Sequence, residues 1–113
     1  MSFAFTTDQI RARTKTVTRR LGWRFAQPGD LVQPVVKGQG LKKGERLERI
    51  GPPIRLLKVD RVALAGPTLT VEDVAREGYP GLSPRDFIDL FRRHNTCPRG
   101  VVVTRIEFEY VDE

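Results

Sequence analysis

The segment of residues 101–111 constrains the fold more than any other part of this sequence. Its apolar and β-branched residues fall at every second position, and charged residues stand between them. Successive side chains of a β-strand point to opposite faces of the sheet, so a period of two predicts a strand with one apolar and one charged face. The predicted apolar face carries Val102, Thr104, Ile106, Phe108 and Tyr110, and the opposite face carries Arg105, Glu107 and Glu109.

Shorter strands are predicted earlier in the chain. Residues 14–20 are rich in β-branched side chains, which favour strands. A strand over residues 31–37 follows a Pro-Gly-Asp turn, and Pro34 within it indicates an edge, a bulge or an early end. Residues 54–64 form a long strand whose imperfect alternation predicts strong twist or a bulge. Residues 2–5 and the neighbourhood of residues 45–50 are further short candidates.

Helices are predicted by their capping residues. Residues 8–13 follow two threonines that can cap a helix. Thr70 and Asp73 form a Thr-x-x-Asp cap, and Gly78 is placed to end that helix. Ser83 and Pro84 supply a cap and a first helical proline for a third helix, which Pro98 ends. Because regular βαβ units are missing, this order predicts an α+β chain built as a small mixed β-barrel flanked by two or three short helices.

Length and composition fit one globular domain over residues 1–113. No apolar run approaches the roughly 20 residues that span a bilayer, and residues 1–20 lack the apolar stretch of a secretory signal. Cys97 is the one cysteine, so no internal disulfide can form and a reducing cytoplasm is the expected location. Without paired ligands near Cys97, we expect no metal, and nothing predicts a cofactor.

Positive charge is concentrated in the first part of the chain. Residues 1–49 hold eleven Lys and Arg against four Asp and Glu, while residues 50–113 hold nine against ten. Such asymmetry favours a one-sided anionic partner, although a cationic surface that only aids solubility fits equally well. The Lys42-Lys43 pair is a solvated loop in the simplest interpretation and a contact to a phosphate backbone in the alternative.

The densest chemistry lies in the run Lys15-Thr16-Val17-Thr18-Arg19-Arg20. In a regular strand Lys15 and Thr18 would face opposite sides, so only a bulge or bend between them would bring both to one cleft. Arg20 would bind phosphate through its two-pronged guanidinium or form a structural pair with an acid such as Asp30. The simplest alternative is a solvated lysine and a threonine that only supports the strand.

This run resembles the signature of the ASCH domain family, a branch of the PUA-like superfamily. The signature reads Gly-x-Lys-x-x-(Glu or Thr)-x-Arg, and here Lys15, Thr18 and Arg20 match while Arg13 stands at the glycine position. Other segments similar to the family are Gly22-Trp23, Pro28-Gly29-Asp30, Glu77-Gly78-Tyr79 and the closing strand, so the resemblance spans about residues 2–111. It implies a PUA-like barrel flanked by helices, a cleft between them, and RNA-related roles.

The same resemblance implies specific residues. Some small bacterial members hydrolyse the amide of N4-acetylcytidine with a lysine, a threonine and a glutamate, which correspond to Lys15, Thr18 and Glu77 here. A lysine with a lowered pKa can act as the base for a threonine hydroxyl, and a glutamate can carry a proton to the leaving amine. An exposed glutamate at a helix end is the plainer interpretation of Glu77.

Residues for binding a nucleic acid or a nucleoside complete the predicted site. Aromatic side chains can stack on an unpaired base, and cationic ones can hold its phosphate. Phe25 is expected in the core, and His94 on the apolar stripe of the third helix is expected to be structural. The predicted binding residues are Arg19, Arg20, Trp23, Lys37 and Tyr79.

Four functions are consistent with these patterns. An RNA-binding or nucleoside-binding module requires no catalysis, whereas an amidohydrolase would act on N4-acetylcytidine-like nucleosides. A ribonuclease-like activity in the same cleft and a protein-interaction domain with an acidic partner are the remaining alternatives. RNA or a nucleoside-like or nucleotide-like ligand is thus the expected partner, with no membrane partner and with the oligomeric state left open.

Overall fold

A computed structural model describes residues 1–37, 44 and 46–112. One helix and three strands come first, two helices follow, and a strand of nine residues comes last among these elements. They are α1 (Thr7–Arg11), β1 (Val17–Arg20), β2 (Leu31–Val32), β3 (Ile54–Ala63), α2 (Val71–Arg76), α3 (Pro84–His94) and β4 (Val102–Tyr110).

The four strands form one antiparallel sheet in the order β1-β4-β3-β2, which curls into a half-barrel. The predicted α+β class is therefore confirmed, with a half-barrel as the observed form. Pairing along the four strands is antiparallel, and within the described ranges parallel pairing is confined to one bridge between Ser2 and Val35. A register shift between Leu56 and Lys58 gives β3 the irregularity that its imperfect alternation predicts.

Several predicted strands are shorter than expected. The run predicted over residues 31–37 pairs as a strand only at Leu31 and Val32, because Pro34 has no N–H to donate to a ladder. Val35 continues with isolated bridges to Ser2 and Arg49, so residues 2–5 and 46–50 form bridges in place of the short strands predicted over residues 2–5 and 45–50, and residue 45 lies outside the described residues. The predicted Lys42-Lys43 contact lies outside the described residues.

The segment before β1 is irregular, contrary to the strand predicted from residue 14. Arg13 adopts a left-handed backbone conformation with φ of 60°, the region that glycine favours. This is the position at which the ASCH signature has glycine. Beyond it, the N–H of Thr16 donates to Arg76 O at 2.8 Å, and Thr16 O accepts from the N–H of Phe108 at 2.9 Å. These bonds fix the approach to β1 between α2 and β4.

The caps of α2 and α3 form as predicted. Thr70 Oγ1 accepts from the N–H of Asp73 at 3.1 Å, and Ser83 Oγ accepts from the N–H of Asp86 at 3.0 Å. Gly78 follows α2 with φ of 104°, and a Cβ there would lie 3.0 Å from Gln9 Cγ. Only glycine fits this backbone beside α1.

Most of the buried apolar residues form two clusters. One cluster lies under the sheet and the amino-terminal segment, with Phe3, Ile10, Ala26, Ile50, Ile54, Leu56, Ile106 and Phe108. The other lies between α2, α3 and the ends of β3 and β4, with Leu64, Leu69, Val74, Phe87, Ile88, Phe91 and Val103.

Both faces of β4 are buried along its middle, and its charged face reaches solvent at Glu109. Thr104, Arg105 and Ile106 are all buried. The side chain of Arg105 is buried because its guanidinium pairs with Asp73 on α2. In the described part of the chain, no helix has the length and apolar character needed to cross a membrane.

Candidate functional site

Lys15 and Glu77 form a buried ion pair that joins the segment before β1 to the end of α2. Lys15 Nζ lies 3.0 Å from Glu77 Oε1 and 2.6 Å from the backbone oxygen of the same residue. Glu77 is 2% exposed and Lys15 is 3% exposed, so the plainer interpretation of Glu77 as a solvated helix-end residue is wrong. Tyr110 fixes the backbone on the other side, because its hydroxyl donates to Lys15 O at 2.5 Å.

A second cation holds the remaining carboxylate oxygen of Glu77. Arg19 Nη1 donates to Glu77 Oε2 at 2.9 Å, and the Arg19 side chain is fully buried. One buried carboxylate thus accepts charge-assisted hydrogen bonds from an ammonium and a guanidinium. This arrangement fixes the orientation of Glu77.

Burial lowers the pKa of Lys15. The low-polarity surroundings disfavour its charged form, Glu77 opposes this through its charge and hydrogen bond, and the charges of Arg20 and Arg19 add to the lowering. A lysine in this setting gives up a proton more readily than one in water. It therefore meets one requirement of a general base.

Thr18 lies on the same side as Lys15 although a regular strand would separate them. β1 begins only at Val17, so Lys15 precedes the regular strand and escapes the alternation rule. Thr18 is buried, and its Oγ1 accepts from Arg20 Nε at 3.1 Å. Within the described residues no hydrogen bond joins Lys15 to Thr18.

Arg20 is held between the Thr18 hydroxyl and an aromatic ring. Its guanidinium carbon lies 4.6 Å from the centre of the Phe3 ring, within range of a cation–π contact. Burial lowers the pKa of Arg20 to about 10, against the opposing charge of Glu77, so the group stays cationic at neutral pH. Asp30 accepts instead from the N–H of Gln27 at 3.0 Å, and no ion pair joins it to Arg20 in the described part of the chain.

All eight predicted site residues line one cleft of about 590 Å³. The wall is formed by the amino-terminal segment, the stretch around β1, the turn that follows α2, and α3, together with Lys37. The predicted residues in the wall are Lys15, Thr18, Arg19, Arg20, Trp23, Lys37, Glu77 and Tyr79. Their proximity is a finding, and their roles stay predictions.

Aromatic rings form much of the rest of the wall. Phe5 and His94 stack face to face with ring centres 3.6 Å apart, and both are exposed. Tyr79 is half-buried with its ring centre 6.1 Å from that of Phe87. Burial, and then the charge of Glu77, raises the pKa of Tyr79, so its hydroxyl stays protonated and can donate.

Phe25 lies outside the core, contrary to expectation. Its side chain is 73% exposed, and its ring centre lies 5.1 Å from that of the half-buried Trp23. Gly22 and Trp23 both take left-handed conformations, with φ of 99° and 55°. Arg24 and Phe25 follow this tight turn with exposed side chains, and Ala26 returns to the apolar cluster.

Asp73 was missed as part of the site by sequence reasoning, which assigned it only to the cap of α2. Its carboxylate receives Arg19 Nη2 at 2.5 Å and Arg105 Nη2 at 2.5 Å, with Arg105 Nε at 3.1 Å. Burial alone would raise the pKa of Asp73, but these hydrogen bonds outweigh it and hold the pKa below its ordinary value. Asp73 therefore fixes Arg19, which in turn fixes Glu77.

A signal for this network was present in the sequence. Asp73 and Glu77 are four residues apart, the spacing that places two side chains on one face of a helix. Two acids on one face can form ion pairs with the cations of a neighbouring strand. The identity of the partner on β4, Arg105, had no such signal.

Metal ligation has no support in the described residues, among which no group of three or more His, Cys, Asp or Glu side chains is placed to hold an ion. Comparison with family models, with curated proteins and with solved structures found no match to this chain.

Proposed function

We propose that the cleft binds a nucleoside or an unpaired nucleotide of RNA. The observation that carries the proposal is one cleft with a cationic wall, through Arg20 and Lys37, and an aromatic wall, through Trp23 and Tyr79. Its volume of about 590 Å³ is in the range of small-molecule sites. Cations that hold phosphate and rings that stack on a base are the two groups such a ligand needs.

The proposal also assigns the half-barrel to the ASCH type within the PUA-like superfamily. Support comes from the signature residues Lys15, Thr18 and Arg20, which share the cleft, and from the left-handed backbone at Arg13, the signature's glycine position. These features are the ones that the resemblance implies.

The binding test uses each of the four ribonucleoside 5′-monophosphates, with the fluorescence of Trp23, the single tryptophan, as the readout. We expect a saturable change with at least one of them. Replacing Arg20 with Met should weaken that binding about tenfold or more, because a charge-assisted hydrogen bond to phosphate is lost.

The matched control is Arg55→Met, at an exposed arginine paired with Glu109 on the sheet and outside the cleft wall. It should leave the binding unchanged. Failure of all four monophosphates to bind, or equal losses in the two variants, would contradict the proposal.

Amide hydrolysis is the second candidate, and one observation favours it: buried Lys15, Thr18 and Glu77 lie in a single wall. In this reaction Thr18 Oγ attacks the acyl carbon of an N4-acylated cytidine while its proton passes to neutral Lys15. The C–N bond then breaks as Glu77 and Lys15 deliver a proton to the leaving amine. Water finally releases the acid from Thr18.

Thr18→Val is expected to lower the turnover of N4-acetylcytidine about a thousandfold or more, because the isosteric side chain lacks the nucleophile. An absorbance assay on the free nucleoside measures it. Thr16→Val, two residues away and outside the cleft wall, is the control and should retain activity.

The pH profile gives an independent check on this candidate. Lys15 works as a base only when neutral, so the rate should rise with pH through a pKa below the ordinary lysine value. Undiminished turnover in Thr18→Val would refute hydrolysis through Thr18 while leaving the binding proposal intact.

A further inference from the structure

Phe25 and Trp23 border a second hollow that adjoins the cleft. This hollow has a volume of about 620 Å³ and includes Met1 and Trp23, which also line the cleft. A ligand that fills the cleft therefore has a continuous surface to follow into the hollow.

Several apolar side chains that line the hollow are largely exposed. Leu31 is 61% exposed and Leu47 is 50% exposed, and both line it beside the 73% exposed Phe25. Exposed apolar side chains that cluster mark interaction surfaces more often than scattered ones do. Of the rings here, Phe25 has the most surface free to stack.

Charge favours an anionic strand at this surface. Arg49 lines the hollow, and the cations Arg20 and Lys37 line the adjoining cleft. Asp30 is the one acid in the wall of the hollow as described, and its carboxylate is engaged by the N–H of Gln27. A path with aromatic rings and basic side chains is typical of proteins that hold single-stranded nucleic acid.

We propose that the hollow is a second base-binding site, in which Phe25 stacks on the nucleotide that follows the one in the cleft. The ligand of the protein is then a single-stranded nucleic acid in preference to a free nucleoside. The inference rests on the proposed function of the cleft. It adds that the ligand is longer than one nucleotide and that Phe25 stacks on the second base.

The test uses calorimetry to compare the affinity of the full chain for one nucleotide with its affinity for a short strand. The probes are a ribonucleoside monophosphate, a five-nucleotide RNA and its DNA counterpart. We expect the RNA to bind more tightly than the monophosphate. Phe25→Ala should weaken strand binding about 5- to 150-fold, the range for stacking of one base on one ring, and leave monophosphate binding unchanged.

Two further variants separate stacking from general effects. Phe25→Tyr keeps a ring and should retain the affinity for the strand. Leu57→Ala removes a 51% exposed apolar side chain on β3, outside the walls of the cleft and the hollow, and should have no effect. A comparable loss in Leu57→Ala would overturn the proposal. The ratio of RNA to DNA affinity identifies which strand the protein prefers.

The outcomes distinguish the second site from the cleft. If the monophosphate binds but the strand gains nothing, or the gain survives Phe25→Ala, the second site is refuted and the cleft stands. If only the strand binds, and does so through Phe25, the cleft proposal is refuted. If sedimentation shows dimerisation that Phe25→Ala abolishes and RNA does not oppose, the hollow serves a second copy of the chain and the inference is overturned.

Discussion

Asp73→Ala is expected to lower the free energy of unfolding by about 3–5 kcal/mol, the loss that follows when one partner of a buried ion network is removed. The carboxylate of Asp73 bonds to Arg19 and to Arg105, and all three side chains are buried. Its removal takes one acid from each of two buried guanidinium groups and leaves Arg19 with Glu77 and Arg105 with Glu107. Since single domains unfold with about 5–15 kcal/mol, this loss is a large part of the total.

Denaturant unfolding followed by Trp23 fluorescence measures the change. The matched control is Asp89→Ala, which removes an exposed helical acid that lies 3.4 Å from Arg99. An exposed pair is worth less than about 1 kcal/mol, so the control should unfold almost as the parent does. Similar losses of unfolding free energy in both variants would show that the buried network stabilises the fold no more than an exposed ion pair does.

The effect of Asp73 should also depend on pH in a defined direction. Its pKa in the folded chain is held below the ordinary value, so the stability it supplies is complete above about pH 5 and is lost as pH falls through the lowered pKa. The difference between parent and Asp73→Ala should therefore shrink on acidification. A difference that grew toward low pH would contradict the assigned direction.

Glu77→Ala is expected to have an effect of similar size, about 3–5 kcal/mol, for a related reason. Lys15 and Arg19 both bond to this carboxylate, and both remain buried after it is removed. Arg19 keeps its pair with Asp73, and Lys15→Met in the same chain removes the other cation that had paired with Glu77. The double variant should therefore be more stable than Glu77→Ala alone.

A double-mutant cycle makes this prediction quantitative. Residues in direct contact couple by about 0.5–3 kcal/mol, so the double variant should lose that much less than the two single variants together. Unfolding of the parent, both single variants and the double variant supplies the four values. Strict additivity would show that Lys15 and Glu77 do not stabilise each other.

The sequence predicted β4 and the caps of α2 and α3 well because each depends on local rules. A period of two identifies a strand wherever it lies, and Thr70 and Ser83 cap helices through contacts three residues away. The length of β1 was predicted less well. Thr16, just before β1, bonds to α2 and to β4, and such long-range bonds have no local signature.

The sequence predicted which residues line the cleft, but it did not predict the ion pairs that join them. The resemblance to ASCH domains placed Lys15, Thr18 and Glu77 together, and the structure brings them to one cleft. Burial of Arg19 and Arg105 was not foreseen, because arginine is rarely buried without an acid and the acid, Asp73, lies far away in sequence. Exposure of Phe25 was missed because an isolated aromatic residue usually lies in the core.

The position of β4 in the sheet has a consequence for how the protein is made. β4 follows the other strands along the chain, yet it lies between β1 and β3. Until the ribosome has released residues 102–110, β1 has no neighbour to pair with, and Arg19 and Asp73 lack the arginine that completes their network. We therefore expect the charged side chains of the network to be incompletely paired in the nascent chain. We expect the cleft to form only after β4 has joined the sheet.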